Sequence, residues 1–399
     1  MKTIKNYRQL LPLLFIIFID TVGYFIVMPV IIRLFMPGTD ALLPANMSTM
    51  IRDLLYSLTL MLSPLAFIIC SPLIGHFSDR YGRKKALTYA LIAACIGFLL
   101  PIIGILKKTI YLIFIGRFIA GASSSSQPVA QAGVTDITIG KVRAFYFSLI
   151  GFAMTLGMVI GPLSGSYLSD NTLISWFNVT TPYCFALLLS LINIIMMIIL
   201  YKNTHQPLLK KTTLSPQLLT QNKIWILMIS FLFLEIAWSQ YYQASFLIMT
   251  QHFHYSMDQM GLFAAYMGFW MCIGLTVVYN RLLKYFSIEA ITTSSLCVAG
   301  LALLFCNIPN TTIQWIITIP ATIAIGTAYP SLLSIMSHRT QPEHQGYILG
   351  CASTVLGVAW MLTGLLSGPL SQWGFMWPNI LSTISMIIAY ILWRFFATT

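Results

Sequence analysis

Three charged side chains lie deep inside otherwise apolar stretches of the chain: Asp20, Arg117 and Glu235. A charge at the middle of a bilayer costs about 2.5–3.5 kcal/mol, and such a residue by default faces other helices and does work there. Two of the three are carboxylic acids, which gain a proton where they are desolvated and lose it beside a cation. That is chemistry for carrying protons, and Asp20 and Glu235 are the expected carriers. All six histidines (His76, His205, His252, His254, His338 and His344) fall in loops or at helix ends, so no imidazole competes for the role. The alternative for either acid is a permanently paired structural group, for instance Asp20 with Arg117.

Polar and aromatic residues recur around these charges at helical spacing. Arg117, Gly121, Ser124, Gln127, Pro128 and Gln131 share one face, as do Glu235, Trp238, Tyr242 and Ser245, with Gln240, Tyr241 and Gln243 adjacent. Tyr24, Tyr266, Trp270, Tyr329 and Trp360 add further rings. Aromatic walls with a few polar anchors suit a bulky organic molecule; ordinary packing is the competing reading for any single ring. Enzyme chemistry has no foothold. The chain lacks G-x-x-x-x-G-K-[ST], so no nucleotide drives it from within, and it lacks H-E-x-x-H and any Ser/His pair at membrane depth. Seven scattered cysteines read as small apolar packers, and neither a metal site nor a cofactor is expected.

The elements that must hold these residues follow from composition. Of 399 residues, 58% are hydrophobic and only 8% charged, against roughly 25% charged in soluble domains. The mean hydropathy is +0.82. Water cannot be the solvent for most of this surface, which excludes a soluble enzyme. Twelve apolar runs reach or approach the ~20 residues that a membrane helix needs: 10–36, 51–74, 86–106, 109–134, 145–168, 181–201, 223–248, 259–279, 288–306, 313–337, 346–369 and 375–396. They are called spans one to twelve below. The first follows Lys2, Lys5 and Arg8 in the manner of a signal peptide, but it is long and lacks a small-residue cleavage site, so a retained span is expected.

With the N-terminus inside, 17 of the 22 basic residues fall on the inner side. This bias sets orientation, places both termini in the cytoplasm, and accounts for the +12 net charge without nucleic acid as a partner. A polar stretch at 202–222 divides the chain into an N-terminal bundle, 1–201, and a C-terminal bundle, 223–399, of six spans each. The halves echo one another. Gly161-Pro162-Leu163-Ser164 recurs as Gly368-Pro369-Leu370-Ser371, Asp79-Arg80 as Asn280-Arg281, and Pro128 as Pro330, at offsets of 207, 201 and 202. A duplicated six-helix unit related by an axis along the membrane normal is implied.

After span two comes Gly75-His76-Phe77-Ser78-Asp79-Arg80-Tyr81-Gly82-Arg83-Lys84-Lys85, and span five carries Gly157, Gly161, Pro162 and Gly165. Glycines every fourth residue form one groove that admits a close neighbour, whether for sliding or for static packing. The loop resembles the signature of the major facilitator superfamily, G-x-L-A-D-R-x-G-R-R/K, with Phe77 and Ser78 as departures. Span five is similar to the antiporter motif of twelve-span drug:proton antiporters, and Asp20-Thr21-Val22-Gly23-Tyr24 with Met28-Pro29-Val30 looks like the tetracycline-efflux branch.

The resemblance implies an all-α integral membrane protein with twelve helices in two pseudo-symmetric bundles. It implies that Gly75, Asp79, Arg80, Gly82 and Arg83, with Asp136 at the end of span four, form a conformational latch that is one-sided because Asn280 replaces the acid in the second half. It also supports Asp20, since the family carries an acid in span one. The expected function is a proton-coupled secondary transporter in the bacterial inner membrane, a monomer in the lipid bilayer exporting a small organic compound by alternating access. The alternatives are transport of an anionic metabolite or siderophore anchored by Arg117, and a non-transporting receptor or scaffold.

Overall fold

The computed structural model describes residues 7–38, 40–137, 141–202, 223–341 and 345–397. Lys2, Lys5, His205, His344 and, apart from Lys202, the expected 202–222 linker lie outside the described residues. Among the described residues the regular structure is all helix, with turns and loops between the helices and no strand. Eleven helices are long and apolar enough to cross a membrane, including Arg8–Phe35, Thr49–Tyr81, Arg83–Leu106, Ile224–Gln251 and Thr311–His338. They coincide with eleven of the twelve apolar runs.

Span four is the exception, and proline explains it. It is built as two shorter helices, Ile110–Ser124 and Ser126–Ile137, joined at Ser125. Pro128 has no N–H to offer the carbonyl four residues back, and its ring crowds that carbonyl; the carbonyl belongs to Ser124, where the first helix stops. Span one breaks the same way. Tyr7–Phe25 and Val27–Phe35 are separated at Ile26, and the residue four before Pro29 is Phe25. Pro162, Pro330 and Pro369 sit within unbroken helices, Lys141–Tyr167, Thr311–His338 and Gln345–Trp373. The Pro128/Pro330 correspondence between the halves therefore extends to position but not to the break.

The chain packs as two compact units. One comprises Met1–Met47, Leu62–Lys211 and Met257–Ala265; the other comprises Ser48–Met61, Thr212–Ser256 and Tyr266–Thr399. Spans two and eight thus each change company part-way along. In the first unit, Leu13, Ile16 and Ile17 of span one meet Leu87 and Leu91 of span three, Ala130 and Val134 of span four and Met197 of span six in a sealed apolar core. The span-five groove seats span one: a Cβ on Gly157 would lie 2.7 Å from Thr21 Cβ, one on Gly161 2.8 Å from Phe25 Cβ, and one on Gly165 against the Ile26 carbonyl. Ser166 and the Pro162 carbonyl of the same helix receive Gly261 of span eight. In the second unit, span eleven plays the corresponding part, with Gly364 and Gly368 receiving the start of span two.

Candidate transport site

Asp20 is 6% exposed, and its Oδ2 accepts a 2.7 Å hydrogen bond from the Ser126 hydroxyl. Next to it, Gln127 Nε2 lies 3.5 Å from Thr21 Oγ1, which itself donates to the Ile17 carbonyl. The break at Ser125 creates this arrangement: Ser126 begins the second half of span four beside span one. Arg117 stands apart. Among the described residues it forms no ion pair with Asp20, so Arg117 is not the partner of that acid in this structure. Its guanidinium lies over the Tyr24 ring, 5.4 Å from the centroid, within electrostatic reach of Tyr24 and Tyr183. The residue is 2% exposed, yet Nε and Nη2 have no hydrogen-bond partner. Its backbone is fixed by Ser63 Oγ, which donates to the Arg117 carbonyl at 2.8 Å, and by Gly121, whose missing side chain admits the Ser63 backbone.

The polar face expected along span four is therefore divided. Ser124 turns its hydroxyl to the Ala120 carbonyl of its own helix, and Gln127 and Gln131 lie half-buried beyond the break. Ser126 is the polar contact that spacing along a continuous helix could not single out, because the break rotates the second half relative to the first.

Glu235 forms a second centre, in the other compact unit. It is 3% exposed, and its Oε2 accepts a 3.3 Å bond from the Trp360 indole N–H. Trp360 packs its ring 6.2 Å from that of Tyr242, which is 5.5 Å from Trp238. Tyr329, its ring tilted against that of Phe231 at 5.6 Å, also lies within electrostatic reach of the acid. Below the rings runs a chain of polar bonds in which Gln243 Nε2 donates to Thr363 Oγ1 at 3.0 Å and Thr363 Oγ1 donates to Ser239 Oγ at 2.8 Å. Tyr266 and Trp270 pack elsewhere: Tyr266 meets Trp315 of span ten at 4.9 Å and donates to its carbonyl, and Trp270 stands 6.1 Å from Tyr266. Four of the aromatic candidates of this half thus gather at Glu235 and two form a separate group.

The loop motif assembles around Arg83. Its Nη1 pairs with Asp79 Oδ1 at 2.7 Å and bonds Ser78 Oγ at 3.0 Å, while Nε pairs with Asp136 Oδ2 at 3.2 Å. Gly82 has φ of 97°, a left-handed conformation that other residues rarely adopt, and it lets the chain turn between Tyr81 and Arg83. Arg80 is exposed, 5.3 Å over the Tyr81 ring. A Cβ on Gly75 would meet nothing within 4 Å, so its smallness is not needed in this arrangement.

One buried acid escapes a search centred on the middles of spans. Asp53, in the first turns of span two, is fully buried. Gln251 Nε2 donates to its Oδ1 at 3.0 Å, and Ser371 and Gln372 donate to its Oδ2.

Residues 10–363 match the Major Facilitator Superfamily. The chain belongs to that family. It is a membrane transporter of small molecules, not an enzyme. Over 401 residues it is 24% identical to the class C tetracycline resistance protein of Escherichia coli, covering 94% of this chain and 93% of that one. It is 28% identical over 199 residues to the class H tetracycline resistance protein of Pasteurella multocida, a match spanning 50% of this chain and 46% of that protein. The fold is also that of a solved D-xylose–proton symporter, with a TM-score of 0.75 and 13% identity over 97% of each chain.

Proposed function

We propose that this transporter couples proton entry to the export of a small organic compound, with Asp20 as principal proton carrier and Glu235 as the second. One observation carries the reading: Asp20 is buried, accepts one bond from a neutral hydroxyl, and has no ion-pair partner among the described residues. A serine hydroxyl both donates and accepts, so the Ser126 contact survives either protonation state, and a proton can be exchanged without breaking a salt bridge. A proton crossing 100 mV supplies about 2.3 kcal/mol, enough for more than a tenfold gradient of a neutral solute. The site lies in the inner membrane, with both termini cytoplasmic, and acts as a monomer by alternating access. Given the named relatives, tetracyclines are the first solutes to try.

The test is flux in proteoliposomes under an imposed pH gradient. Asp20→Asn should abolish acceleration by the gradient while leaving downhill exchange measurable, and Glu235→Gln should weaken it. Unchanged coupling in both variants refutes the assignment, and gradient-driven accumulation on the inner side refutes the direction.

A second reading rests on Arg117. Two nitrogens of a buried guanidinium have no protein partner, and leaving buried polar groups unpaired costs about 1–3 kcal/mol each. An anionic solute, including a carboxylate-bearing metabolite or siderophore, would satisfy them. Competition of organic anions with the transported solute, lost in Arg117→Gln, distinguishes it.

A further inference from the structure

Within the first compact unit, span six (Thr181–Leu200) turns one face inward, formed by Tyr183, Ala186, Ser190, Asn193 and Met197. Spans one and three pack against this helix. Asn193 is wholly enclosed, yet neither its Nδ2 nor its Oδ1 has a hydrogen-bond partner among the described residues. Ser190, one turn away on the same face, donates to the Ala186 carbonyl at 2.9 Å, and its oxygen keeps lone pairs with which to accept. The buried face of span three carries no polar side chain, so it offers the amide nothing. A buried amide with both ends unpaired is rare and calls for a ligand that donates and accepts. The register of spans one and six shows what else lies at its level. A Cβ on Gly133 would lie 3.2 Å from both Leu13 Cδ1 and the Tyr201 hydroxyl, and Ile16, Ile17 and Met197 continue the apolar core that these two residues share. Asp20 is seven residues beyond Leu13, and Asn193 is eight before Tyr201. At about 1.5 Å per residue both separations are two turns. The buried acid and the unpaired amide therefore sit at one depth, beyond the same core.

We propose that Ser190 and Asn193 form a binding site for an ordered water beside Asp20, and that this water delivers the proton which the acid takes up. Water fits the chemistry of the site. A buried water makes two to four hydrogen bonds, and the amide, the serine oxygen and the carboxyl group supply them in either protonation state of Asp20. The Ser126 hydroxyl on Oδ2 is itself fully buried, so it orients the acid without linking it to solvent. Along span six the polar positions continue from Ser190 to Tyr183, whose buried hydroxyl also lacks a partner; in the other direction Met197 and the apolar core close the line. Access is thus one-sided. The step is proton transfer alone: an O–H bond forms on Asp20 as one breaks on the water, and the water recovers its proton from solvent by way of the Tyr183 end. The inference rests on Asp20 as the proton carrier proposed above, but on neither Glu235 nor the solute.

The test is Asn193→Leu, which removes both polar atoms and keeps a side chain of similar shape, in the full-length protein in proteoliposomes. Solute flux driven by an imposed pH gradient should fall at least about tenfold, while downhill exchange without a gradient stays at the parental rate. Asn193→Ser, which leaves a hydroxyl and room for water, should keep most of the response to the gradient. Infrared difference spectra give a second readout: the carboxyl band that vanishes in Asp20→Asn should move in Asn193→Leu, because a hydrogen bond to the acid is lost, and hold its position in Asn193→Ser. If Asn193→Leu fails to accumulate, Ser190→Ala decides, with a smaller loss of driven flux and the same direction of band shift. Parental driven flux or an unmoved band overturns the proposal. So does an equal fall in driven flux and downhill exchange, which would mark a packing role. Coupling kept in Asp20→Asn would remove the proton carrier itself, whereas coupling lost there and kept in Asn193→Leu would remove the water site alone.

Discussion

Replacing Gly157 by alanine tests how tightly the geometry of span five controls Asp20. The added Cβ would lie 2.7 Å from Thr21 Cβ, 2.9 Å from its Cγ2 and 3.1 Å from the Val22 nitrogen. Non-bonded carbons settle near 3.5–4.0 Å, so spans one and five must part by about 0.8 Å. A Cβ is fixed to its backbone, and rotating the threonine does not relieve the overlap. Overpacking of this kind costs about 1–3 kcal/mol, offset by about 1 kcal/mol of helix propensity gained on replacing glycine. A net loss of about 0–2 kcal/mol follows. The functional loss should be larger, because Asp20 adjoins Thr21. Moving span one by about 0.8 Å takes the 2.7 Å Ser126–Asp20 contact to the edge of hydrogen bonding. Gly75→Ala is the matched control: it meets nothing within 4 Å and should gain up to about 1 kcal/mol from propensity alone. Thermal unfolding of both in one detergent, followed by the ratio of proton to solute flux, measures the two effects. If Gly157→Ala is stabilised as much as Gly75→Ala, or keeps parental coupling, the close approach of spans one and five does not govern the site.

Other perturbations have equally definite outcomes. Pro128→Ala should restore the bond to the Ser124 carbonyl, fuse Ile110–Ser124 with Ser126–Ile137, and raise the free energy of unfolding by up to about 3 kcal/mol; transport should fall as Ser126 turns from Asp20, and an unchanged rate refutes a role for the break. Arg83→Ala opens a partly exposed ion-pair network, so stability should change by less than about 1 kcal/mol while the rate of solute exchange drops severalfold; a large fall in midpoint with normal exchange would make the cluster merely structural. Trp360→Phe removes the donor to Glu235 and keeps a ring beside Tyr242. It should cost about 1–3 kcal/mol in unfolding measurements without altering the response to organic anions, and a loss confined to anion competition would contradict the separate roles given to Glu235 and Arg117.

The architecture was largely legible from residue chemistry, because hydrocarbon imposes a simple rule: apolar stretches of sufficient length become helices. Eleven spans and the groove of Gly157, Gly161 and Gly165 follow from local patterns at fixed helical spacing, whereas the partnership of Arg83 with Asp136 came from the family resemblance of the loop motif. Prolines were visible, but their consequences were not uniform. Pro29 and Pro128 interrupt helices while Pro162, Pro330 and Pro369 do not, and tertiary surroundings decide which. Ser126 escaped notice because an unbroken helix would have put Ser124 and Gln127 on the favoured face. Asp53 escaped because an acid near the end of an apolar run looks like a solvated terminus. The donors from Gln251, Ser371 and Gln372, with Gly368 packed against its carbonyl, show otherwise. Pairwise contacts between distant segments are the information that composition and periodicity lack.

The interruption at Ser125 has a consequence for biogenesis. Neither piece of span four, 15 residues and 12 residues long, reaches the length that partitions into a bilayer unaided. The first piece also carries Arg117, a further penalty of about 2.5–3.5 kcal/mol for translocon insertion. Span three supplies what is missing: only Lys107, Lys108 and Thr109 separate it from span four, and Gly97 and Gly104 on one side and Gly116 on the other let the two backbones touch. Spans three and four should therefore leave the ribosome's membrane channel as a preassembled hairpin, and a nascent chain with a foreign third helix should leave the fourth stranded in water.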